Sequence, residues 1–418
     1  MTNVFELLKT RGYIKRTSND DAVRDLLGRP PATIYQGFDP TAASLHIGHF
    51  LGLMVFHHLQ RAGHRMIFLV GGGTGIVGDP SGQAEARRRM SREDIQRNVE
   101  AIKQQVQRIG LVDFVTGNPS AILLNNADWL DMPLLDYLER VAPHFSVNVM
   151  VKQDTFARRL ADHNNLSLFE FMYPTLQGFD FLHQFDHYGC RLQIGGDDQW
   201  GNLVAGLDLI QNARHQPAYV LTFPLLLDAS GQKMGKTTGG RALWLDAAMT
   251  SPFEFYQVWI NAPDADIERS FRLLTFIALD EIDSIVAGDP RAAARRLAFE
   301  ITRIVHGEAA ARQAEADSQK AFGGAGLPQD VPTIALSQEE AVAGVLVTDL
   351  LMRAGLKSKG EAKRLVEGGG VHVNDARVAD IQQRLSDANL RDFGDQGAAV
   401  IRYGKGKVVK VTFPSRTG

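Results

Sequence analysis

His46 and His49 stand three residues apart at the end of the stretch 35–49, which reads YQGFDPTAASLHIGH. The pattern predicts a strand, then a turn containing Gly, Asp and Pro, then a helix that begins near Ser44 or Leu45. Both imidazoles would project from one face of the first helical turn, where they can donate hydrogen bonds to phosphate oxygens. Because a helix start also carries unpaired N–H groups and partial positive charge, the stretch favours nucleotide binding. A helix start with incidental polar residues stays open as an alternative, as does a zinc pair, although no third ligand is evident nearby.

Two lysines form a second candidate phosphate-binding motif. They lie in the segment 231–238, which reads GQKMGKTT and follows the apolar strand-like run 219–227. Lys233 and Lys236 are separated by only two residues, one of them glycine, and two ammonium groups on such a loop can neutralise charge in phosphoryl transfer. The segment is not a Walker loop, because the pattern G-x-x-x-x-G-K-S/T is absent. Alone, it would more often be a solvated turn.

Taken together, HIGH at 46–49 and KMGKT at 233–237 resemble the HIGH and KMSKS motifs of class I aminoacyl-tRNA synthetases. Gly235 stands where KMSKS has serine, and this form looks like the variant usual in bacterial tyrosyl-tRNA synthetases. The order and spacing of further matching segments make coincidence very improbable. These segments are GDPSG (78–82), LQGFDF (176–181) and LQIGGDDQWGN (192–202).

The resemblance implies a two-step reaction on ATP, L-tyrosine and tRNA(Tyr). The tyrosine carboxylate would attack the α-phosphorus in line, giving tyrosyl-adenylate and pyrophosphate without a protein nucleophile. Mg²⁺ would accompany ATP, yet no dedicated protein metal site is evident. In the second step the terminal ribose of the tRNA would attack the acyl carbon.

Three other functions compete with this interpretation. A tryptophanyl enzyme shares the architecture, but the pair Tyr35 and Asp180 argues against it. A non-catalytic RNA-binding relative built on the same fold would not need intact histidine and lysine motifs. A nucleotide-dependent adenylyltransferase would leave the basic C-terminal region unexplained.

By resemblance, both ends of the tyrosine are expected to meet polar side chains. Tyr35 and Asp180 would bind the phenol hydroxyl, and Asp79, Tyr173 and Gln177 would bind the α-ammonium group. Positions 173, 177 and 180 share one face of a helix, which agrees with a common binding wall. The remaining residues assigned to this site are Gln193, Gln199 and Asn126.

The resemblance also implies which residues contact ATP. Thr41 and His46 would approach the γ-phosphate, and His49 the ribose. Three residues would hold the leaving pyrophosphate, namely Lys233, Lys236 and Thr237, with help from Arg87. The other ATP-binding assignments are Gly37, Asp39, Gly196 and Asp198. Two positions depart from the family pattern: Gln36 replaces a frequent cysteine near the ribose, and Gln83 replaces a lysine.

A competing motif, G-x-G-x-x-G, occurs at 73–78 after a predicted strand. In the dinucleotide-binding fingerprint a helix opens at once, and an acidic residue follows about 20 residues later at a second strand end. Here Asp79 and Pro80 interrupt the helix, and Glu100 falls inside a helical stretch. An NAD-dependent enzyme is therefore disfavoured.

The elements that must position these residues alternate between strand and helix from Thr33 to about Leu245. This alternation predicts an α/β fold with a doubly wound parallel (Rossmann-like) sheet, whose ligands bind at the carboxyl ends of the strands. The predicted strands are 33–38, 65–71, 121–124 and 191–194, and the predicted helices include 45–62 and 198–214.

Beyond this region the chain changes character. Residues 251–322 are predicted to be almost wholly helical, and the Gly- and Pro-rich segment that follows reads as a linker. The predicted organisation is a catalytic domain (1–247) with a dimer-interface insertion at about 130–165, a helical domain (248–322), a linker (323–344) and a small α+β domain (345–418). The last domain resembles the αL-type RNA-binding module, and the resemblance implies a homodimer.

The net charge of −3 hides an asymmetry. Residues 350–418 contain 13 Lys or Arg against 7 Asp or Glu, a surplus of six, so the rest of the chain carries about −9. A basic module on an acidic body is expected where one part binds nucleic-acid phosphates, although a solvated charged surface is the simpler alternative. The predicted RNA-binding residues are Arg353, Lys357, Lys359, Lys363, Arg364, Lys405 and Lys407.

Composition sets the remaining limits. Cys190 is the only cysteine, which excludes an internal disulfide framework and fits a reducing compartment. No apolar run is long enough for a membrane span, and the N-terminus lacks the features of a secretory signal. The cytoplasm is the expected location.

Overall fold

The computed structural model describes residues 3–79, 90–115, 119–162, 165–227, 242–323, 328–374, 376–386, 397–404 and 406–414. The chain divides into two compact units. Unit 1 comprises Met1–Asp246 and Phe271–Leu279, and unit 2 comprises Ala247–Ser270 and Asp280–Gly418. In the described ranges, no helix combines the length and the apolar character needed to cross a membrane.

The helices are numbered in chain order. The first twelve are α1 (Val4–Arg11), α2 (Asp20–Leu27), α3 (Ile47–Arg61), α4 (Thr74–Val77), α5 (Arg92–Ile109), α6 (Ala127–Leu130), α7 (Leu134–Arg140), α8 (Val147–Met150), α9 (Asp154–Ala161), α10 (Leu168–Phe171), α11 (Tyr173–Tyr188) and α12 (Trp200–Arg214). The others are α13 (Pro252–Ile260), α14 (Asp264–Leu274), α15 (Leu279–Val286), α16 (Pro290–His306), α17 (Glu308–Gly323), α18 (Gln338–Ala343), α19 (Val347–Arg353) and α20 (Lys359–Glu367).

The strands that the structure describes form one sheet in unit 1 and two in unit 2. Those of unit 1 are β1 (Arg16–Thr17), β2 (Thr33–Phe38), β3 (Arg65–Val70), β4 (Ile122–Asn125), β5 (Cys190–Gly196) and β6 (Tyr219–Phe223). Those of unit 2 are β7 (Thr333–Ala335), β8 (Val345–Leu346), β9 (Val371–Val373), β10 (Ala376–Arg377), β11 (Arg384–Leu385), β12 (Ala398–Tyr403) and β13 (Lys407–Thr412).

The sheet of unit 1 has the strand order β1-β6-β5-β2-β3-β4. Strands β2 to β6 are parallel, and β1 pairs antiparallel at the edge. Residues 66–70 of β3 are all buried apolar residues, as expected for a parallel strand covered on both faces. The doubly wound parallel sheet is thus confirmed. Its strand order reverses between β2 and β5, so a crevice opens beyond their carboxyl ends, where such folds bind ligands.

Helices α11 and α12 pack closely beside this sheet because glycine lies at their contact. A Cβ atom on Gly206 of α12 would lie 3.1 Å from the side chain of Phe181 on α11. On α11, a Cβ atom on Gly178 would meet the ring of Phe145 at 3.0 Å and the carbonyl of Ala205 at 3.4 Å. Larger residues would push α11 outward, and with it the polar residues that it directs toward the crevice.

Unit 2 combines helices with a five-stranded sheet of order β10-β9-β12-β13-β7 and the two-stranded pair β11-β8. Buried side chains of α19, α20 and both sheets share one core, including Leu350, Val366 and Ile401. A smaller cluster joins α13 and α17 to the sheet through Phe253, Ala321 and, among others, Val408. The helical and C-terminal segments of unit 2 are therefore packed together.

Three details differ from the sequence predictions. Helix α3 begins at Ile47 rather than near residues 44–45, and His46 is its N-cap. The segment 323–344, interpreted as a linker, contributes β7 to the C-terminal sheet and also contains α18. Strand β12 was not anticipated, although it lies between β9 and β13 in the middle of that sheet.

Candidate active site

The candidate active site is a cleft in unit 1 at the carboxyl ends of β2 and β5. It brings together most of the residues assigned from the sequence. The assigned residues that line it are Tyr35, Gly37, Asp39, Thr41, His46, His49, Asp79, Asn126, Tyr173, Gln177, Asp180, Gln193, Gly196, Asp198 and Gln199. Four further assignments lie outside the described residues, namely Arg87, Lys233, Lys236 and Thr237.

The two histidines of the HIGH motif cap the start of α3 together. Nδ1 of His46 accepts a hydrogen bond from the N–H of Gly48 at 3.1 Å, and Nδ1 of His49 accepts one from the N–H of His46 at 3.2 Å. The two rings stack with centroids 3.8 Å apart. Since both Nδ1 atoms are acceptors, each neutral ring carries its proton on Nε2. The pair therefore offers two Nε2–H donors at a helix N-terminus, which suits phosphate oxygens.

The segments immediately before and after residues 228–241 both lie at this cleft. Residues 243–245 run antiparallel to 45–47, with backbone hydrogen bonds of 2.9 Å at each end of the pairing. On the preceding side, residues 224–226 line the cleft itself. The described chain before the lysine segment therefore ends at the cleft, and the described chain after it begins beside the histidine motif.

Asp180 of α11 is a buried carboxylate with two fixed donors. Its Oδ2 accepts a hydrogen bond from Nδ2 of Asn126 at 2.9 Å, and its Oδ1 accepts one from the indole N–H of Trp129 at 2.8 Å. The Trp129 ring in turn stacks on His183 with centroids 4.2 Å apart. Burial raises the pKa of Asp180 to about 7, although both hydrogen bonds act in the opposite direction.

Tyr35 supplies a second polar group in this part of the cleft. The side chain is fully buried, and its hydroxyl has no hydrogen-bond partner among the described residues. Burial and the nearby Asp180 carboxylate raise the pKa of the hydroxyl, so it stays protonated. Oε1 of Gln193 is likewise buried and unpaired within the described ranges. Because buried polar atoms are normally hydrogen-bonded, these atoms indicate a polar ligand.

A second polar cluster surrounds Asp79. Its two carboxylate oxygens accept hydrogen bonds from Nε2 of Gln199 at 2.6 Å and from Nδ2 of Asn202 at 3.3 Å. Nearby, the hydroxyl of Tyr173 donates to Asp39 at 2.8 Å. Burial and this neighbouring carboxylate raise the pKa of Tyr173, which therefore remains a donor. Several fixed oxygens here could hold an ammonium group.

Glycines shape the side of the cleft assigned to the nucleotide. A Cβ atom on Gly37 would meet no atom within 4 Å, so a side chain there would extend into open space that a ligand could use. A Cβ atom on Gly196 would come within 2.8 Å of an oxygen of Asp198. Gln36, the departure from the family pattern, packs its buried amide against Gly52 of α3. Within the described ranges, no group of three or more His, Cys, Asp or Glu could hold a metal ion.

Comparison with known proteins agrees with this geometry. Residues 28–323 match the family of class I tRNA synthetases of the W and Y type, and residues 325–410 match the tyrosine–tRNA ligase SYY-like C-terminal domain. The chain belongs to the class I tRNA synthetase family. This family assignment disfavours the alternative that the G-x-G-x-x-G sequence at 73–78 marks a dinucleotide site.

Individual relatives cover nearly the whole chain. A tyrosine–tRNA ligase of Clostridium tetani is 45% identical over 408 residues, covering 96% of this chain and 97% of that protein. One of Clostridium beijerinckii is 44% identical over 416 residues, covering 98% and 99%. Among solved structures, a C-terminally truncated mitochondrial tyrosyl-tRNA synthetase of Coccidioides posadasii superposes with a TM-score of 0.66 at 30% identity, covering 76% of this chain and 92% of that one.

The predicted RNA-binding residues that the structure describes lie in α19, just before α20, in α20 and in β13 of unit 2. Lys357, Lys363 and Arg364 are exposed around α20. The side chains of Arg353 and Lys359 form ion pairs with Glu340 and Asp349. Exposed Lys407 lies over the Tyr403 ring at 6.0 Å, and Lys405 lies outside the described residues.

Sequence reasoning missed two residues of the site. Trp129 fixes one oxygen of Asp180, and Asn202 holds both Asp79 and Gln199. Asn202 ends the segment 192–202 that the resemblance had already marked, so its position was available. Trp129 follows Asn126 by one helical turn, but only the three-dimensional packing brings its indole to Asp180.

The described lining of the cleft contains several acidic side chains. Among the described residues that line it, there is no lysine or arginine, whereas four are aspartates: Asp39, Asp79, Asp180 and Asp198. Such a wall attracts an ammonium group and repels a polyphosphate. Apart from the two histidines and the start of α3, the cations needed for ATP must come from elsewhere.

Proposed function

We propose that the chain is a tyrosine–tRNA ligase that forms tyrosyl-adenylate and pyrophosphate from L-tyrosine and ATP, then transfers tyrosine to the 3′ end of tRNA(Tyr). One observation carries the proposal. A single cleft holds a buried hydroxyl–carboxylate pair, Tyr35 and Asp180, and also opens on the paired imidazoles of His46 and His49. The first pair suits a phenol, and the second suits a phosphate.

Tyrosine recognition follows from the cost of leaving buried polar groups unpaired. The phenol would donate to Asp180 and accept from Tyr35, whose hydroxyl has no partner among the described residues. Phenylalanine would leave the Tyr35 hydroxyl without a partner and would offer Asp180 no donor beyond Asn126 and Trp129, so it is expected to be rejected. Tyrosyl enzymes are a known example of this kind of discrimination. A tryptophan side chain would bring one N–H donor but no acceptor for the Tyr35 hydroxyl.

At the other end of the substrate, the α-ammonium group would bind near Asp79, Tyr173, Gln177 and Gln199. The hydrogen bonds from Gln199 and Asn202 hold the Asp79 carboxylate in place before the substrate arrives. Gln193 and Asn126 complete the assigned tyrosine site. Holding the amino acid at both ends directs its carboxylate toward the nucleotide, which supplies much of the rate enhancement through orientation.

ATP would lie across the start of α3 and the turn after β5. Thr41, His46 and His49 would contact phosphates or ribose, and Gly37, Asp39, Gly196 and Asp198 would accommodate the nucleoside. Lys233, Lys236, Thr237 and Arg87 are assigned to the departing pyrophosphate from the sequence motifs. The shortage of cations among the described lining residues supports this assignment, because the developing charge needs stabilisation. Mg²⁺ bound to the ATP phosphates would supply further neutralisation.

The basic surface of unit 2 would bind tRNA phosphates, through Arg353, Lys357, Lys359, Lys363, Arg364, Lys405 and Lys407. A homodimer joined through residues 130–165 is also part of the proposal. It is supported by exposed apolar side chains concentrated in and beside this segment, such as Leu135, Val147 and Leu168, which are 61–72% exposed. The cytoplasm, expected from the single cysteine, completes the proposal.

Charging of unfractionated tRNA tests this function directly. The chain is expected to attach labelled tyrosine, and not phenylalanine or tryptophan, to tRNA in an ATP-dependent reaction. Transfer of tryptophan in place of tyrosine would assign the chain to the other branch of the family. Adenylate formation without any transfer to tRNA would contradict the second step.

A further inference from the structure

The edge strand β1 brings an arginine from the N-terminal segment to the active-site turn. In the antiparallel pairing of β1 with β6, Arg16 lies opposite Thr222. The strand is held by backbone hydrogen bonds from Lys15 to Thr222 at 2.8 Å and from Ser18 to Val220 at 3.0 Å. The Cα position of Arg16 is therefore fixed relative to the sheet.

Arg16 and Thr222 both bind Asp197, the first residue of the turn Asp197–Gln199. Nε of Arg16 donates to Oδ1 of Asp197 at 2.7 Å, and Nη2 donates to the Asp197 carbonyl at 3.1 Å. The Thr222 hydroxyl donates to the same Oδ1 at 2.8 Å. The guanidinium also lies 4.5 Å from the ring centroid of Trp200, the residue that follows the turn. Arg16 thus contacts both the side chain and the backbone carbonyl of Asp197, and its guanidinium also contacts the ring of Trp200.

The turn held in this way carries residues of both substrate subsites. Asp198 and Gln199 line the cleft, and Gln199 donates to Asp79 at 2.6 Å. The contact also has an electrostatic consequence, because the described cleft lining contains aspartates but no lysine or arginine. Without Arg16, the Asp197 carboxylate would add uncompensated negative charge beside the turn that is assigned to ATP.

We propose that Arg16 is a positioning residue for adenylate formation, acting through Asp197 on the turn that presents Asp198 and Gln199. This inference rests on the proposed function. The side chains of Arg16 and Asp197 are 44% and 22% exposed, so their ion pair contributes little to the stability of the fold. Its effect is expected in the KM for ATP, because the ATP subsite depends on both the position of the turn and its charge.

The test compares Arg16→Gln with a matched control, Arg24→Gln. Nε of Arg24 also donates to a carboxylate, that of Glu6, at 2.8 Å, and its guanidinium lies 4.8 Å from the ring centroid of Phe5, but it does not line the cleft. In tyrosine-dependent ATP–pyrophosphate exchange, Arg16→Gln is expected to raise the KM for ATP roughly 5- to 20-fold. The dissociation constant for tyrosine should change less than about threefold, and Arg24→Gln should leave both constants and the Tm near the wild-type values.

Two further variants separate positioning from a merely structural role. Arg16→Lys retains the charge but loses the guanidinium whose two nitrogens contact the Asp197 side chain and carbonyl, so it should restore only part of the ATP affinity lost in Arg16→Gln. Adding Asp197→Asn to Arg16→Gln removes the uncompensated carboxylate and should also recover part of the ATP affinity. An unchanged KM for ATP in Arg16→Gln, or a parallel loss of Tm and of binding of both substrates, would overturn the inference. Failure of the wild-type chain to use tyrosine would instead overturn the proposed function.

Discussion

The imidazoles of His46 and His49 stack 3.8 Å apart, and each uses Nδ1 to accept a backbone N–H at the start of α3. These hydrogen bonds cap the helix, and they also place the proton of each neutral ring on Nε2. The cap and the donors proposed to bind phosphate occupy different atoms of the same rings. These two roles can be separated by substitution.

Asparagine and glutamine variants of His46 should separate the two roles. The amide of His46→Asn can replace the Nδ1 acceptor but cannot reach the position of Nε2. This variant is expected to keep a Tm near that of the wild type and to slow adenylate formation by roughly 10²–10³-fold. His46→Gln can present a donor nearer the position of Nε2 and should retain more activity. Stopped-flow adenylate formation measures both, and equal activity of the two variants would contradict the assignment.

Lys236→Ala should slow adenylate formation by about 10²–10³-fold, because it removes a cation that is assigned to the departing pyrophosphate. The dissociation constant for tyrosine should stay close to that of the wild type, since tyrosine is proposed to bind at the Asp180 end of the cleft. Lys9→Ala, which removes an exposed charge from α1, is the control. Equal losses in tyrosine binding and in rate would remove Lys236 from its proposed role.

The affinity for tyrosine should depend on pH through Asp180. Burial raises the pKa of this carboxyl to about 7, so it is ionised above that pH and protonated below it. The carboxylate can accept the phenol hydrogen bond together with those of Asn126 and Trp129, so tyrosine affinity should fall as the pH decreases through about 7. The dissociation constant should rise toward tenfold per pH unit below the pKa. Equilibrium dialysis measures it.

Asp180→Asn, which cannot titrate, is the control for that measurement. Its tyrosine affinity should be weaker and flat between about pH 6 and 8. A pH profile in Asp180→Asn that matches the wild-type profile would assign the titration to another group.

Asp180→Ala should weaken discrimination against phenylalanine. Removing the carboxylate takes away the proposed main acceptor for the phenol, so kcat/KM for tyrosine should fall while that for phenylalanine changes little. The measured quantity is the ratio of the two kcat/KM values in pyrophosphate exchange. A ratio equal to that of the wild type would refute this pocket.

Neutralising the exposed cations around α20 should weaken tRNA binding without affecting adenylate formation. The triple variant Lys357→Gln, Lys363→Gln and Arg364→Gln should lower the salt dependence of tRNA affinity, by up to about 0.9 in the slope for each phosphate that the protein no longer neutralises. Substituting Lys9, Arg61 and Arg65 in unit 1 removes the same charge and serves as control. Charge substitution is preferable to deleting residues 345–418, because Val400 and Val408 share a buried cluster with Phe253.

The polar residues of α11 that line the cleft could be predicted, because the spacing that places residues on one helical face is visible in the local sequence. Positions 173, 177 and 180 recur on one helical face, and all three line the cleft. The start of α3 was predicted wrongly because Ser44 is a favourable N-cap type. In the structure the Ser44 hydroxyl instead donates to the Leu45 carbonyl and accepts from Gln105 and Asp246, so the cap passes to His46.

The missed features depend on contacts between distant parts of the chain. Trp129 reaches Asp180 from 51 positions away, and Arg16 reaches Asp197 from 181 positions away. Strand β12 was missed because a short apolar run becomes a central strand only through its pairing with β9 and β13. Local sequence patterns do not specify such pairings, whereas the motifs around α3 and β5 are continuous in sequence.

ATP–pyrophosphate exchange with each of the twenty amino acids tests the central claim most directly. That claim is that one cleft binds a phenol at Tyr35 and Asp180 and a triphosphate at His46 and His49. Exchange should occur with tyrosine and remain near background with the other nineteen, including phenylalanine and tryptophan. Comparable exchange with phenylalanine or tryptophan, or none with tyrosine, would contradict it.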